Sequence, residues 1–284
     1  MAISTLRPLL ERASDERYGV LAINIVNELT LRAVIEAAEL RRSPVIVQTS
    51  VKTVKAHGVR ETLSAFRHAA EKSTVPVVLH LDHCTDREVL SACLDAGWNS
   101  VLFDGSGLSL AEVTRQTIEV VQEARRLGAD VEGEIEGIQG VEDGVGSDDA
   151  PTLYPLEQAV EFIQTTGVDC FAPAIGNAHG NYPELPRLDT ERVRALVGAT
   201  GKPMALHGGS GLSDEQFNEL IGLGCSKVNI STALKAAYID AHREFICERE
   251  PDYEPLNLMR YVADRVRDVA VNYIDVFGSA GKAE

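Results

Sequence analysis

The feature that most constrains this chain is the regular alternation of short apolar segments with amphipathic stretches. The apolar segments predict buried strands, and the stretches between them have the spacing of helices. The predicted strands are 19–24, 44–50, 75–81, 100–103, 129–135, 169–175, 203–206 and 227–230. The predicted helices are 6–13, 29–40, 61–71, 87–96, 110–127, 156–166, 188–197, 214–223, 233–245 and 255–277. Eight strand–helix units predict an α/β fold, the (β/α)₈ or TIM barrel. We expect the first helix to close its bottom and the last to form an extra C-terminal helical segment.

Length and composition agree with one domain that acts on a small molecule. A barrel of this type takes about 250 residues, so 284 residues predict a single domain over residues 1–284. The net charge of −16 argues against nucleic acid and anionic membranes as partners. The five cysteines form no C-x-x-C pair, and the chain has neither a signal-peptide pattern nor an apolar stretch of spanning length. These features predict a cytoplasmic protein with free thiols.

Polar residues lie at or near the C-terminal ends of the predicted strands. In such barrels this face carries the active site, so the placement predicts a polar site at the mouth. The residues are Asn24, Gln48, Asp82, Asp104, Glu134, His179, His207 and Asn229.

Three of the seven histidines follow three different strands beside Gly or Asp. They are His83, His179 and His207. Three imidazoles with an open fourth position are typical of catalytic zinc, although iron, cobalt and nickel also accept them. His80 lies inside its strand, where a buried, hydrogen-bonded histidine is the favoured interpretation. Cys84 is a weaker candidate ligand, because zinc-binding cysteines usually come in pairs.

The carboxylates near these histidines admit two interpretations each. Asp82 either orients a metal ligand or acts as a general acid/base. Glu132 and Glu134 share one face of their strand. They either pair with a metal or a ligand histidine, or simply reach water at the strand end.

A glycine-rich segment after strand seven, 207–211, and the end of strand eight, 227–232, favour a phosphate site. Barrels often bind phosphate at this position with backbone N–H groups and a helix N-terminus. The alternative is ordinary glycine turns and helix caps.

Together these motifs resemble the class II, metal-dependent ketose-bisphosphate aldolases, which include the fructose- and tagatose-bisphosphate enzymes. The resemblance runs over nearly the whole chain. It is carried by Asn24 and by the segments 79–83, 104–106, 131–134, 140–143, 175–180, 206–211, 227–232 and 277–283.

The resemblance implies a lyase of carbohydrate metabolism that releases dihydroxyacetone phosphate from a phosphorylated ketose. Zinc would bind to His83, His179 and His207, with Glu134 near the metal. Asp82 would exchange a proton at the bond that is made or broken. Glu142, on a mobile loop, would move the proton on the dihydroxyacetone phosphate carbon. Asp104 and Glu132 would lie behind the ligands. The residues expected to bind the substrate and its phosphate are Asn24, Ser50, Gly180, Gly208, Gly209, Ser210, Asn229, Ile230, Ser231 and Thr232.

The family also suggests a sodium or potassium ion and a homodimer or homotetramer. Departures from the family pattern cluster where the aldehyde half should bind, at Lys52, Gly107, Glu136 and Leu256. They leave open a different aldehyde, as in the 5-dehydro-2-deoxyphosphogluconate aldolases. A metal-free phosphosugar isomerase and a non-catalytic sugar-phosphate-binding barrel are the more distant alternatives.

Overall fold

The eight strands of the barrel close through the pairing of the first with the last. The computed structural model describes residues 3–147, 153–180, 182 and 184–283, with the backbone alone at residues 142 and 145. The barrel strands are β1 Val20–Asn24, β2 Val45–Ser50, β3 Val77–Cys84, β4 Ser100–Asp104, β5 Asp130–Glu134, β8 Cys170–Phe171, β9 Met204–Leu206 and β10 Cys225–Ile230. Each pairs in parallel with its neighbours, and β1 pairs with β10. The predicted (β/α)₈ barrel is confirmed.

Helices surround the barrel on the outside. They are α1 Leu6–Glu16, α2 Glu28–Arg41, α3 Val51–His57, α4 Val59–Ala70, α5 Arg87–Ala96, α6 Leu110–Leu127, α7 Leu156–Thr166, α8 Thr190–Thr200, α9 Asp214–Leu223, α10 Thr232–Arg243 and α11 Pro255–Val276. A π-helical turn, Glu244–Glu248, extends α10. Capping side chains fix where some of these helices begin. Asn27 forms a capping box at the start of α2, and Ser213 forms one at the start of α9. Helix α11, the predicted C-terminal segment, packs against α2 and α10.

Helix α1 closes the bottom of the barrel, as the sequence predicts. Its buried Leu6, Leu10 and Ala13 share a cluster with Ile46 and Val78, which point into the barrel from β2 and β3. This apolar plug leaves the opposite end, where the strands finish, as the open face. Among the described residues, no helix combines the length and apolar character needed to cross a membrane.

Two elements were not expected from the sequence. Helix α3 follows β2 directly, with Ser50 as its N-cap. The aperiodic segment after β5 contains an antiparallel hairpin of β6 Gly140–Glu142 and β7 Val145–Ser147. Strand β8 is also shorter than the predicted strand 169–175, because the chain leaves the sheet after Phe171.

Candidate active site

Strand β3 delivers Asp82 and His83 to the same mouth through a break in its pairing. The register with β4 shifts between Leu81 and Cys84, and His83 adopts a left-handed φ of 44°. Neighbouring residues of a regular strand point to opposite faces, so this bulge is what lets consecutive side chains contribute to one site. A non-glycine residue in this conformation is strained, and such strain is concentrated at functional sites.

His83, His179 and His207 converge at the centre of the mouth. Each offers one ring nitrogen, and these three atoms lie within 4.8 Å of one another. The ring centroids are 5.0 Å apart for His83 and His179, and 4.7 Å for His83 and His207. Three nitrogens at this spacing, from β3, from the loop after β8 and from the residue that follows β9, form a donor set that suits a divalent metal.

Carboxylates fix which nitrogen of two of these rings faces the centre. Nδ1 of His83 lies 3.0 Å from Oδ2 of Asp104, and Nε2 of His207 lies 2.7 Å from Oε1 of Glu132. An ionised carboxylate only accepts hydrogen bonds, so each of these nitrogens carries the proton. Nε2 of His83 and Nδ1 of His207 are therefore the atoms that each ring, when neutral, would offer to a metal, and Nε2 of His83 is buried without a hydrogen-bond partner in the described part of the chain. This is the arrangement by which carboxylates orient metal-binding histidines.

The surroundings of the histidines favour positive charge. Burial lowers the pKa of His83, but Asp82, Glu134 and Asp104 outweigh it and raise that pKa well above its usual value. Burial also lowers the pKa of His207, but Glu132 and Glu134 outweigh burial and raise that pKa above its usual value. Glu134 lies with His83 and Asp104 in a second possible metal-binding group. A bound cation would balance these carboxylates.

Beneath the histidines lies a charged cluster with no access to solvent. Nζ of Lys227 is 2.9 Å from Oε2 of Glu132, and both side chains are fully buried. Burial raises the pKa of Glu132, but Lys227 and His207 outweigh it and hold that pKa well below its usual range. Oε2 of Glu134 lies 3.2 Å from Nδ1 of His207. Both carboxylates are buried, so the alternative that they reach water is wrong.

His80 belongs to the wall of this cluster. It is fully buried, and its Nδ1 lies 2.7 Å from Oγ of Ser100. Burial, and next the charge of Lys227, lower its pKa to about 3. This neutral, hydrogen-bonded histidine agrees with the interpretation favoured by the sequence.

Asp82 is held by amides from two other strands. Nδ2 of Asn24 donates to its Oδ2 at 2.9 Å, and Nδ2 of Asn229 donates to its Oδ1 at 3.4 Å. Asn24 in turn accepts from Nε2 of Gln48 at 2.7 Å, and Asn229 accepts from Lys227 at 2.6 Å. The His83 ring therefore forms its hydrogen bond with Asp104. Asp82, in contrast, is oriented by the side-chain amides of Asn24 and Asn229.

No role was predicted from the sequence for two residues of the site, Gln48 and Lys227. Both lie in strands beside expected site residues, two positions before Ser50 and Asn229 respectively. The period of two in a strand gives such residues the same direction. The period places Lys227 on the same side of its strand as Asn229, but it does not identify Glu132 as the partner of Lys227.

Three of the predicted phosphate-binding residues, Ser210, Ser231 and Thr232, lie at the N-terminus of α10. Oγ of Ser210 accepts from the backbone N–H of Ala233 at 3.2 Å. Oγ of Ser231, at the N-cap, is buried and makes no hydrogen bond within the described residues. Gly208 has a φ of 64°, and a Cβ there would overlap the backbone of Ala178. The first N–H groups of a helix lack partners within the helix, so a helix start next to an unpartnered hydroxyl makes a suitable anion site.

The remaining expected residues are placed as follows. Ile230 is buried, so only its backbone is available to a ligand. Ser50 caps α3 and lies beside Asp82 in the β2–β3 register. The backbone of Glu142 lies in β6, and its side chain is outside the described part of the structure. Gly180 lies in the loop directly after His179, and Gly209 lies in the glycine-rich segment. Thr232 is the first residue of α10. Cys84 is buried and belongs to neither possible metal group found in the described residues.

The residues that depart from the family pattern have different surroundings. Lys52 is exposed in the first turn of α3, and Leu256 is 65% exposed on α11. Glu136 is buried and accepts from the backbone N–H groups of Tyr154 and Ala174, both at 3.0 Å. Arg192 also donates to Glu136. Glu136 therefore anchors the far end of the loop that bears the hairpin, whereas the charge of Lys52 is exposed.

The class-II fructose-bisphosphate aldolase family profile matches residues 4–282. The chain belongs to this family and is an aldolase, as the sequence motifs predict. Three relatives span essentially the whole chain. A fructose-bisphosphate aldolase of Streptococcus pneumoniae is 37% identical over 100% of both chains. A sulfofructosephosphate aldolase of Alkalicoccus urumqiensis is 34% identical over 100% of this chain and 99% of its own. A 6-phospho-5-dehydro-2-deoxy-D-gluconate aldolase of Shouchella clausii is 35% identical over 100% and 97%.

A solved structure has the same fold. The YdjI aldolase of Escherichia coli K12 superposes with a TM-score of 0.88 at 34% identity, covering 99% of this chain and 100% of its own. Relatives with three different substrates in their names have nearly equal identity to this chain. Family membership therefore fixes the reaction class and a phosphorylated sugar as substrate, and leaves the particular sugar open.

Proposed function

We propose that this chain is a zinc-dependent aldolase that reversibly cleaves a phosphorylated ketose, of the fructose- or tagatose-1,6-bisphosphate type, to dihydroxyacetone phosphate and an aldehyde. The observation that carries the proposal is the meeting of three imidazole nitrogens within 4.8 Å of one another at the barrel mouth. Asp82 and the N-terminus of α10 lie at the same mouth.

His83, His179 and His207 would hold the metal, and Glu134 would lie beside it. The buried, unpartnered Nε2 of His83 and the surrounding carboxylates fit a divalent cation. When bound, zinc would supply a Lewis acid that polarises the ketone and stabilises the negative charge left by C–C cleavage. Asp104 and Glu132 would keep their histidines in the tautomers that offer a lone pair to the centre.

Asp82 would act as the acid/base at the bond that breaks. In the cleavage direction it accepts the proton of the hydroxyl on the aldehyde side, the new carbonyl forms there, and the C–C electron pair passes into the ketone fragment. Asn24 and Asn229 donate to its two oxygens. These donors fix the direction of the carboxylate that would act as the general base.

Glu142 would return a proton to the carbon of the ketone fragment. Its strand β6 belongs to a hairpin in the long connection after β5, and loops of this kind often close over a site and exclude water. The phosphate of the fragment would bind to Gly180, Gly208, Gly209, Ser210 and the start of α10. The buried hydroxyl of Ser231 supports this placement, since it lacks a hydrogen-bond partner in the described structure.

The aldehyde half decides which substrate the enzyme prefers. The alternative with the same mechanism, the 5-dehydro-2-deoxyphosphogluconate type, is supported by a relative of that name as similar as the fructose-bisphosphate aldolase. A metal-free isomerase and a non-catalytic barrel lose support from the family assignment. The sodium or potassium ion and the dimeric or tetrameric state stay predictions from the resemblance.

A substrate panel separates these cases. The enzyme is incubated with each sugar, with and without a chelator. The sugars are fructose and tagatose 1,6-bisphosphates, ketose 1-phosphates without the second phosphate, and 6-phospho-5-dehydro-2-deoxygluconate. Released dihydroxyacetone phosphate is measured. We expect chelator-sensitive release from at least one sugar. Release that a chelator does not reduce would refute the metal-dependent mechanism, and preference for the deoxygluconate would select the alternative.

A further inference from the structure

Two contacts in the described part of the structure join the hairpin that carries Glu142 to the rest of the mouth. Beside its base, the carbonyl oxygen of Gln139 accepts from the backbone N–H of His179 at 2.7 Å. At its tip, Oδ1 of Asp143 lies 2.9 Å from Nζ of Lys235 on α10. The first contact connects the hairpin to a proposed metal ligand, and the second connects it to the proposed phosphate-binding helix.

The tip of the hairpin has little freedom of its own. Asp143 and Gly144 form the two-residue loop between β6 and β7, with φ of 53° and 88°. Positive φ at both central residues is the requirement of the type I′ turn, which suits the twist of paired strands. Asp143 directly follows Glu142, so a contact that fixes Asp143 also fixes the backbone of Glu142.

Lys235 lies one turn inside α10. Its backbone N–H donates to the carbonyl oxygen of Ser231 at the helix start. In this first turn the N–H of Ala233 donates to Ser210. The ion pair therefore bridges the proposed base-bearing hairpin and the helix end that is proposed to hold the phosphate.

The ion pair is shielded enough to matter locally. The Asp143 side chain is 15% exposed and that of Lys235 is 32% exposed. Partly exposed pairs contribute little to global stability. The free energy that such a pair contributes is sufficient, however, to favour the docked position of a small hairpin over its undocked positions.

We propose that the Asp143–Lys235 ion pair docks the β6–β7 hairpin onto α10 and so fixes the backbone position of Glu142 for its proposed proton transfer. Asp143 and Lys235 are positioning residues in this account. The inference rests on the proposed function, since it assigns the proton transfer to Glu142.

The first test measures docking without catalysis. Amide hydrogen exchange of residues 140–147 is followed by mass spectrometry in the metal-loaded full chain and in Asp143→Asn, Lys235→Met and the charge-exchanged pair D143K/K235D. We expect exchange about threefold to fivefold faster in both single variants, the range for a partly exposed pair. The exchanged pair should restore protection. Unchanged exchange in the single variants would overturn the proposal.

The matched control is Lys282→Met. Lys282 pairs with Glu16 at 2.7 Å and is 34% exposed, close to Lys235, but it lies away from the hairpin. We expect hairpin exchange to be unchanged in this variant. Faster hairpin exchange there would show that loss of a lysine anywhere loosens the segment, which would also overturn the proposal.

The second test separates positioning from direct phosphate binding. In both single variants we expect the exchange of the dihydroxyacetone phosphate C–H proton with solvent, and kcat, to fall at least threefold with little change in KM. A rise in KM for Lys235→Met alone, without rescue by D143K/K235D, would show that Lys235 binds the substrate phosphate instead. If the unmodified enzyme cleaves no sugar, the proposed function fails, and the hydrogen-exchange result still decides the ion pair.

Discussion

Replacement of Lys227 by Met tests the buried cluster under the metal-binding histidines. The substitution keeps most of the side-chain volume and removes the ammonium group that lies 2.9 Å from Glu132 and 2.6 Å from Asn229. Glu132 would keep its contact with His207 but lose its ion pair with Lys227. Both Lys227 and Glu132 are fully buried, so no solvent can replace the lost contact.

The expected cost is large because the remaining charge stays buried. Removal of one partner from a buried ion pair costs about 3–5 kcal/mol. For a chain of 284 residues that corresponds to a fall of roughly 5–8 °C in the midpoint of thermal unfolding, at about 2.1 cal/mol/K of unfolding entropy per residue. The free energy of unfolding is measured by urea titration of chelator-treated protein, so that metal binding does not add to the stability of one variant only.

The double variant Lys227→Met/Glu132→Gln removes both charges. It should be more stable than Lys227→Met alone, since no unpaired buried charge remains. Lys55→Met, which breaks an exposed pair with Asp86, should change stability by less than about 1 kcal/mol. A cost below about 1 kcal/mol for Lys227→Met, or strict additivity in the double variant, would refute this interpretation of the cluster.

Three further predictions concern the metal site and the thiols. Asp82→Ala should lower kcat by about 100-fold or more and keep its zinc; metal analysis that finds zinc lost would remove Asp82 from the acid/base role. His207→Ala should lose both zinc and turnover, and full metal content in that variant would exclude His207 as a ligand. Burial raises the pKa of Cys84 to about 11 and those of Cys93 and Cys225 to about 12, whereas Cys247 is exposed. Iodoacetamide at about pH 8 should therefore modify Cys247 first, and equal labelling of all five cysteines by mass spectrometry would contradict the buried positions.

The barrel was predictable because its strands are buried on both faces and end in polar residues. Runs such as Val77–Leu79 are continuous apolar segments, and parallel strands in a barrel require this. The polar residues after them then mark the open face without further information. Helix α1 was also predictable, because its leucines recur on one face of the helix.

The local geometry of the site was less accessible. Alternation along β3 would separate Asp82 from His83, and the bulge that brings them together depends on the pairing with β4. The hairpin after β5 has strands of only three residues each, too short to show a period. Its turn, Asp143-Gly144, is a local hairpin indicator that could have identified it.

Lys227 shows a third limit of sequence reasoning. A lysine in a strand is usually exposed, and only the register of the closed barrel places it against Glu132 across the interior. The pairing is a property of two distant strands, so it could not be read from either one alone. The roles of the site residues, unlike the family, stay proposals that the variants above test.

The most direct test of the central claim is removal and return of the metal. The purified enzyme is stripped with a chelator, zinc is added back in steps, and release of dihydroxyacetone phosphate from the preferred sugar is measured alongside bound metal. The account predicts that cleavage disappears on stripping and returns in proportion to zinc, up to about one ion per chain. Full cleavage by metal-free protein would contradict it.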